Sequence, residues 1–178
     1  MSNERLTPVS YLVLGLVASG ASTSYELKQK VAGSVGYMWS FPHSALYAEP
    51  ARLAEMALLE EQREQTGRRR RVYTITTSGQ QALQNWLREP TFEPTQLRDL
   101  GLLKLFFAGL VADADVAALA RGQEKVHGER LAIYERLDVQ IPVDSTTIFP
   151  RATLEMGLRV ERAFVTFWQE IAQQLDIA

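Results

Sequence analysis

The chain has 178 residues, 46% of them hydrophobic, and a formal net charge of −2. That content supports a packed core rather than a disordered chain. The absence of cysteine excludes disulfides, thiolate metal sites and cysteine nucleophiles, and no apolar run approaches the ~20 residues that span a bilayer. The apolar stretch 9–18 lacks a basic leader and a cleavage site, so it does not read as a signal peptide, and a cytoplasmic protein with no membrane association is expected.

Thr7-Pro8 opens the first helix, with threonine as cap and proline at the first helical position. Val9, Leu12, Val13, Leu16 and Val17 recur at helical spacing, and Gly20 ends the element. Thr23 and Glu26 have capping-box spacing for a second helix, with Tyr25, Leu27 and Val31 as its apolar positions and Lys28 outside. The glycines of 33–36 break the pattern. A third helix is expected from about Pro42, with Leu46, Leu53 and Met56 inward. Pro50 in its middle predicts a kink or tightened turn, because proline removes one helical hydrogen bond.

Residues 60–64 and 70–76 read as two short strands around a turn at 65–68, the second rich in β-branched and aromatic residues. Thr77 and Gln80 predict the cap of a fourth helix holding Leu83, Trp86 and Leu87. The two prolines of 89–94 mark a domain boundary. Thereafter the pattern is helical. An apolar helix covers about 97–109, a long helix runs from Asp113 to about Leu137, and a twelve-residue loop follows at 138–149. Pro150 opens a final helix with Leu158, Phe164, Phe167 and Trp168. The expected fold class is therefore mostly α, a winged helix-turn-helix over residues 1–90 and an all-helical domain over 91–178.

Charge is unevenly placed. Residues 1–90 carry ten Lys/Arg against eight Asp/Glu, while 91–178 carry nine against thirteen. Four consecutive arginines, Arg68, Arg69, Arg70 and Arg71, sit on the hairpin that follows the third helix. A helix that can enter the major groove, followed by a basic hairpin that can reach the flanking backbone, is a DNA-binding arrangement. The third helix offers His43, Ser44, Tyr47 and Arg52 for contact, with Lys28 on the second helix. Alternate strand residues face opposite ways, so only some of the arginines reach DNA. A solvated hairpin tip is the plainer reading of the arginines, and a half-buried aromatic that of Tyr47.

The series Leu12, Gly15 and Leu16, then Ser24-Tyr25-Glu26-Leu27, Leu46-Tyr47 with Arg52-Leu53, Thr66-Gly67 before the arginines, Tyr73, Thr76 and Gly79 resembles the PadR family of bacterial transcriptional regulators. The helical second half, with Gly157 and Trp168 in its last helix, is similar to the C-terminal domain of the longer members. The resemblance implies a homodimer formed through the C-terminal helices, binding double-stranded DNA at a palindromic operator. It implies a repressor or activator, with a repressor favoured, relieved by a small hydrophobic or aromatic effector. Ser44 and Tyr47 then fall in the recognition helix, and Gly67 with the arginines in the wing. This chain departs from the family at Ala57, where glycine commonly ends that helix, and in carrying its helix proline at 50 instead of 48.

Trp39, Trp86, Phe107 and Trp168 are candidate effector contacts, although aromatics at helical spacing also make dimer core. A helical protein-interaction module that has lost DNA binding is the second reading. No catalytic function is expected. His43 and His127 are isolated, no metal-ligand spacing occurs, and no glycine-rich phosphate loop follows a strand, so neither metal nor cofactor is expected.

Overall fold

The computed structural model describes residues 5–176 except 33–35, 37, 38, 40, 43, 64–69, 143, 145 and 146. Its backbone divides into two compact units, Met1–Glu93 and Pro94–Ala178. The first holds helices α1 (Pro8–Ala18), α2 (Ser24–Ala32), α3 (Ala45–Glu55) and α4 (Thr77–Arg88), and strands β1 (Leu59–Arg63) and β2 (Arg71–Ile75). The strands pair antiparallel with Glu61 opposite Tyr73. They form a two-stranded wing after a helix-turn-helix.

The core of this unit is built from the inward faces of all four helices and the wing. Val13, Leu14, Val17, Leu27, Val31, Leu46, Leu53, Leu59 and Tyr73 are buried together. Thr7 caps α1 as its sequence demands, its hydroxyl accepting from the Ser10 amide. Two buried members of α1 lie outside the expected stripe. Leu14 belongs to the core, and Ser10, fully buried, is a polar anchor described below.

Helix α3 begins at Ala45 rather than near Pro42. Its first turn is tightened, since the amides of Tyr47 and Ala48 both bond the Ser44 carbonyl, at 3.1 and 3.2 Å. The helix then continues through Pro50, whose ring is buried. Burial of the apolar ring offsets the hydrogen bond that proline removes.

The end of α3 closes in the left-handed way usual for glycine, but with alanine. Ala57 has φ of 56°. The Ala57 amide bonds the Ala54 carbonyl and the Leu58 amide bonds the Leu53 carbonyl, the paired contacts of a Schellman ending. The turn is held from outside by Thr76, which caps α4. Its hydroxyl accepts from the Gly79 amide at 3.0 Å and donates to the Ala57 carbonyl at 2.8 Å. The cap is thus Thr76 with Gly79, one residue earlier than the expected Thr77 with Gln80. A Cβ on Gly79 would lie 2.1 Å from the Leu58 carbonyl oxygen, so only glycine lets α4 approach the turn.

A left-handed conformation costs an L-residue about 1–2 kcal/mol, part of which glycine returns as unfolded-chain entropy. Ala57→Gly is therefore expected to stabilise the protein by about 0.5–1 kcal/mol, visible as a Tm rise of about 2–3 °C. Unchanged or lowered melting would show that the outer hydrogen bonds already remove the strain.

The second unit holds α5 (Leu100–Phe106), a 3-10 turn (Ala108–Leu110), α6 (Asp113–Gln140) and α7 (Ile148–Asp176). Asp99 caps α5 by accepting from the Leu102 amide at 2.8 Å, so Leu97 lies before the helix rather than in it. The long helices form an antiparallel hairpin. Arg151 pairs with Asp138 at 2.8 Å, His127 with Glu161 at 2.6 Å, and Gln169 with Glu124 at 2.9 Å. A Cβ at Gly157 would come within 2.9 Å of the Tyr134 ring, so this glycine admits the tyrosine between the helices. The expected twelve-residue loop shrinks to 141–147. The Arg151 guanidinium also takes the carbonyls of Asp138 and Ile141, capping α6 from the opposite helix. Val126, expected inside, is 53% exposed, because the inward face of α6 is set by Val116, Ala120, His127 and Tyr134.

Candidate nucleic-acid interface

One face of the first unit brings together the start of α2, the outer side of α3 and the return strand of the wing. Thr23, Ser24, Tyr25, Tyr47, Arg70, Arg71 and Tyr73 line a single open groove there. Each element arrives for a local reason. The Glu26 carboxylate accepts from the amides of Ser22 and Thr23 at 2.7 and 3.3 Å, and the Glu26 amide donates to the Thr23 hydroxyl at 3.2 Å. This is the reciprocal cap that the sequence spacing predicts. The same contacts, the Ser22 amide first, hold the Glu26 carboxyl below its usual pKa. The Tyr73 amide bonds the Ser22 carbonyl at 2.7 Å and ties the wing to the start of α2.

Tyr25 does not pack inward as expected. It is 67% exposed, because Leu27 and Val31 take the buried side of α2 and a residue two places from Leu27 points the opposite way. The sequence signal for this was present in the spacing. Lys28, also exposed, follows Tyr25 by three positions and shares its side of the helix. Tyr47 is 56% exposed on α3, and Ser44 is exposed at that helix's start. Arg70 and Arg71 are exposed on the wing. His43, Arg68, Arg69 and the expected turn around Gly67 lie outside the described residues.

Arg52 turns away from this face. Its guanidinium grips Glu49 through Nε at 3.0 Å and Nη2 at 2.6 Å, and donates to the Ser10 hydroxyl at 2.9 Å. The planar fork expected to read a base is here filled bidentately by Glu49. The arrangement joins α1 to α3 through a buried serine. Burial alone would raise the Glu49 pKa, but hydrogen bonds from Arg52 and Ser10 and the Arg52 charge hold it below the usual 4.5. A depressed carboxylate stabilises the fold above its unfolded pKa, and that stability is lost as pH falls through the folded value. The urea midpoint should therefore fall on acidification below about pH 4.5, and more steeply than in Glu49→Gln. Parallel curves for the two proteins would remove Glu49 from the acid response.

The four aromatic candidates divide between the units. In the first, Trp86 is 41% exposed and stacks on Tyr11 with ring centres 4.6 Å apart and planes at 4°, while Trp39 is 48% exposed. Leu87, expected inward, is 66% exposed. In the second unit, Phe107 is 56% exposed and lines an apolar groove with Leu103, Lys104, Leu110 and Val116. Trp168 is fully buried beside Ala120 and Ala172. Among the described residues, no group of three or more His, Asp or Glu side chains is placed to hold a metal ion, and no helix is long and apolar enough to cross a membrane.

A helix-turn-helix whose outer helix and two-stranded wing share one basic, aromatic face defines the winged-helix class of transcription regulators. Residues 13–85 of the chain form a domain of the PadR-like family of transcriptional regulators. That family model matches residues 13–85, and a second, the virulence activator alpha C-terminal model, matches 97–176. The negative transcriptional regulator PadR of Bacillus subtilis (strain 168) is 24% identical over 94% of this chain and 97% of its own length. The probable transcriptional regulator Rv1176c of Mycobacterium tuberculosis is 26% identical over 93% of this chain and 96% of its own. The fold agrees with that of Bacillus subtilis PadR solved with operator DNA, at a TM-score of 0.83 and 22% identity over 95% of this chain and 99% of that one. The same Bacillus protein solved with p-coumaric acid gives a TM-score of 0.78 at 21% identity, over 97% of this chain and 99% of that one.

Proposed function

We propose that this regulator is a homodimeric repressor that binds a palindromic operator and releases it when a small hydrophobic or aromatic effector binds. The observation that carries the reading is the convergence of Tyr25, Tyr47, Arg70 and Arg71 on one groove. In the proposed complex Tyr47 and Ser44 approach the major groove, while Arg70 and Arg71 meet the flanking phosphates, with Lys28 beside Tyr25 as a further phosphate contact. His43, Arg68 and Arg69 join this set from the sequence, and Arg52 leaves it. Residues 1–90 are the DNA-binding domain and 91–178 the dimerisation domain. Leu100, Leu103, Phe106 and Leu110, all more than half exposed, supply the apolar surface that a partner subunit would cover. Trp39, Trp86 and Phe107 are the accessible aromatics for an effector. The Bacillus relative is named a negative regulator and has been solved with operator DNA and with p-coumaric acid, which supports both halves of the proposal. The protein acts in the cytoplasm and is not an enzyme.

Selection of bound duplexes from a random pool tests the reading directly. The expected product is an inverted repeat with half-sites about one helical turn (~34 Å) apart. Its complex should contain two chains per duplex by sedimentation and dissociate on adding an aromatic acid. Recovery of no enriched sequence would overturn the operator proposal.

A further inference from the structure

Among the described residues of the wing, one acidic side chain, Glu61, lies on the face that carries Arg63 and Arg71. Glu61 lies opposite Tyr73 in the hairpin, and three donors converge on its carboxylate. The Tyr73 hydroxyl reaches Oε2 at 3.3 Å, Arg71 Nη1 reaches Oε2 at 3.5 Å, and Arg63 Nε reaches Oε1 at 3.3 Å. Glu61 is the shielded partner, with a side-chain exposure of 20% against 50% for Arg71 and 68% for Arg63. Arg71 and Tyr73 also line the groove that holds Tyr25 and Tyr47. The carboxylate therefore occupies, for Arg71, the role that a phosphate oxygen would take.

We propose that Glu61 is an internal competitor for DNA phosphate that restrains the wing's affinity for any duplex. The inference rests on the DNA-binding reading above and deepens it. A carboxylate and a phosphate offer a guanidinium the same kind of acceptor. Arg71 thus exchanges one partner for another on binding, and the exchange yields less than a free arginine would. The contacts to Glu61 are long and partly exposed, so DNA can displace them. The carboxylate stays behind near the duplex and repels the phosphates. The effect does not depend on base sequence. It lowers affinity for all DNA and so limits retention on sites that are not the operator.

The test compares the full-length wild type with Glu61→Gln on a mixed-sequence duplex of about 30 base pairs over a range of salt. Glutamine still offers an oxygen to the Tyr73 hydroxyl but has no charge to hold Arg71. The control is Glu60→Gln, which changes net charge equally on the other face of the strand, where Glu60 meets Gln62. Glu61→Gln is expected to bind about three- to tenfold more tightly, with the salt slope steeper by about one ion. Glu60→Gln should change affinity by less than about twofold. The gain from Glu61→Gln should fall by at least half in an Arg71→Ala background. Equal affinity or weaker binding by a Glu61→Gln protein that melts like wild type would overturn the inference and leave the regulator reading intact. An equal gain from Glu60→Gln, or a gain that persists without Arg71, would also overturn it. A wild type that binds no duplex at any salt would remove the DNA-binding reading and this inference together.

Discussion

His127→Leu is expected to lower the unfolding free energy by about 3 kcal/mol, the cost of leaving a buried polar group without its main hydrogen-bond partner. His127 and Glu161 are 8% and 4% exposed between the two long helices. His127 Nδ1 and Glu161 Oε2 share a hydrogen bond across 2.6 Å. Arg130 Nη1 donates to the other carboxylate oxygen at 3.4 Å from a half-exposed position, a weaker contact. The imidazole is further held by stacking on Phe164, with ring centres 4.3 Å apart and planes at 7°. Leucine would fill the space but offer no hydrogen bond, leaving the carboxyl group only the longer Arg130 contact. The loss should appear as a Tm drop of about 6–12 °C in thermal melts. The double variant His127→Leu/Glu161→Leu should recover most of it, since replacing both members removes the desolvated charge as well. A double variant no more stable than the single one would mean that the pair contributes net stability.

Replacing all four wing arginines, Arg68, Arg69, Arg70 and Arg71, with alanine is expected to weaken binding to every duplex by about a hundredfold at moderate salt. Every arginine that leaves a phosphate should reduce the slope of log affinity against log salt by about 0.9. The weakening should be similar for operator and mixed sequence, because backbone contacts position the protein and carry no base information. Arg70 and Arg71 are exposed, so replacing these two leaves no cavity, and melting of the variant is expected to stay within a degree or two of wild type. Fluorescence anisotropy at several salt concentrations would measure both quantities. An unchanged slope would mean that the wing stays off the phosphates and that α3 alone meets the DNA.

The two predictions differ in how far the sequence anticipates them. The arginine run stands next to a helix and between two strand-like segments, so its role follows from chain order alone. His127 does not announce itself. It is one of only two histidines, it lies 34 residues from its partner, and nothing local marks either position as buried. Ser10 and Arg52 are the same case within the first unit, joined across 42 residues. Arg52 reads from its helix position as a base contact, and only the neighbouring buried serine and Glu49 reveal its structural task.

Local chemistry alone determined the order of elements, the caps at Thr7 and at Thr23 with Glu26, the hairpin, and the division into a winged-helix half and a helical half. These depend on periodicity, turn residues and capping spacing, which act over a few residues. Only the tertiary structure decided that Tyr25 shares a groove with Tyr47 and that α3 runs on through Pro50. It also decided that Ala57 adopts the left-handed turn, that α6 and α7 shorten the expected loop from both ends, and that Trp168 is core. Those outcomes are set by burial and by partners far away in the chain. A pattern of residue types specifies which faces are apolar, but the energy of a long-range contact exists only once the faces have met.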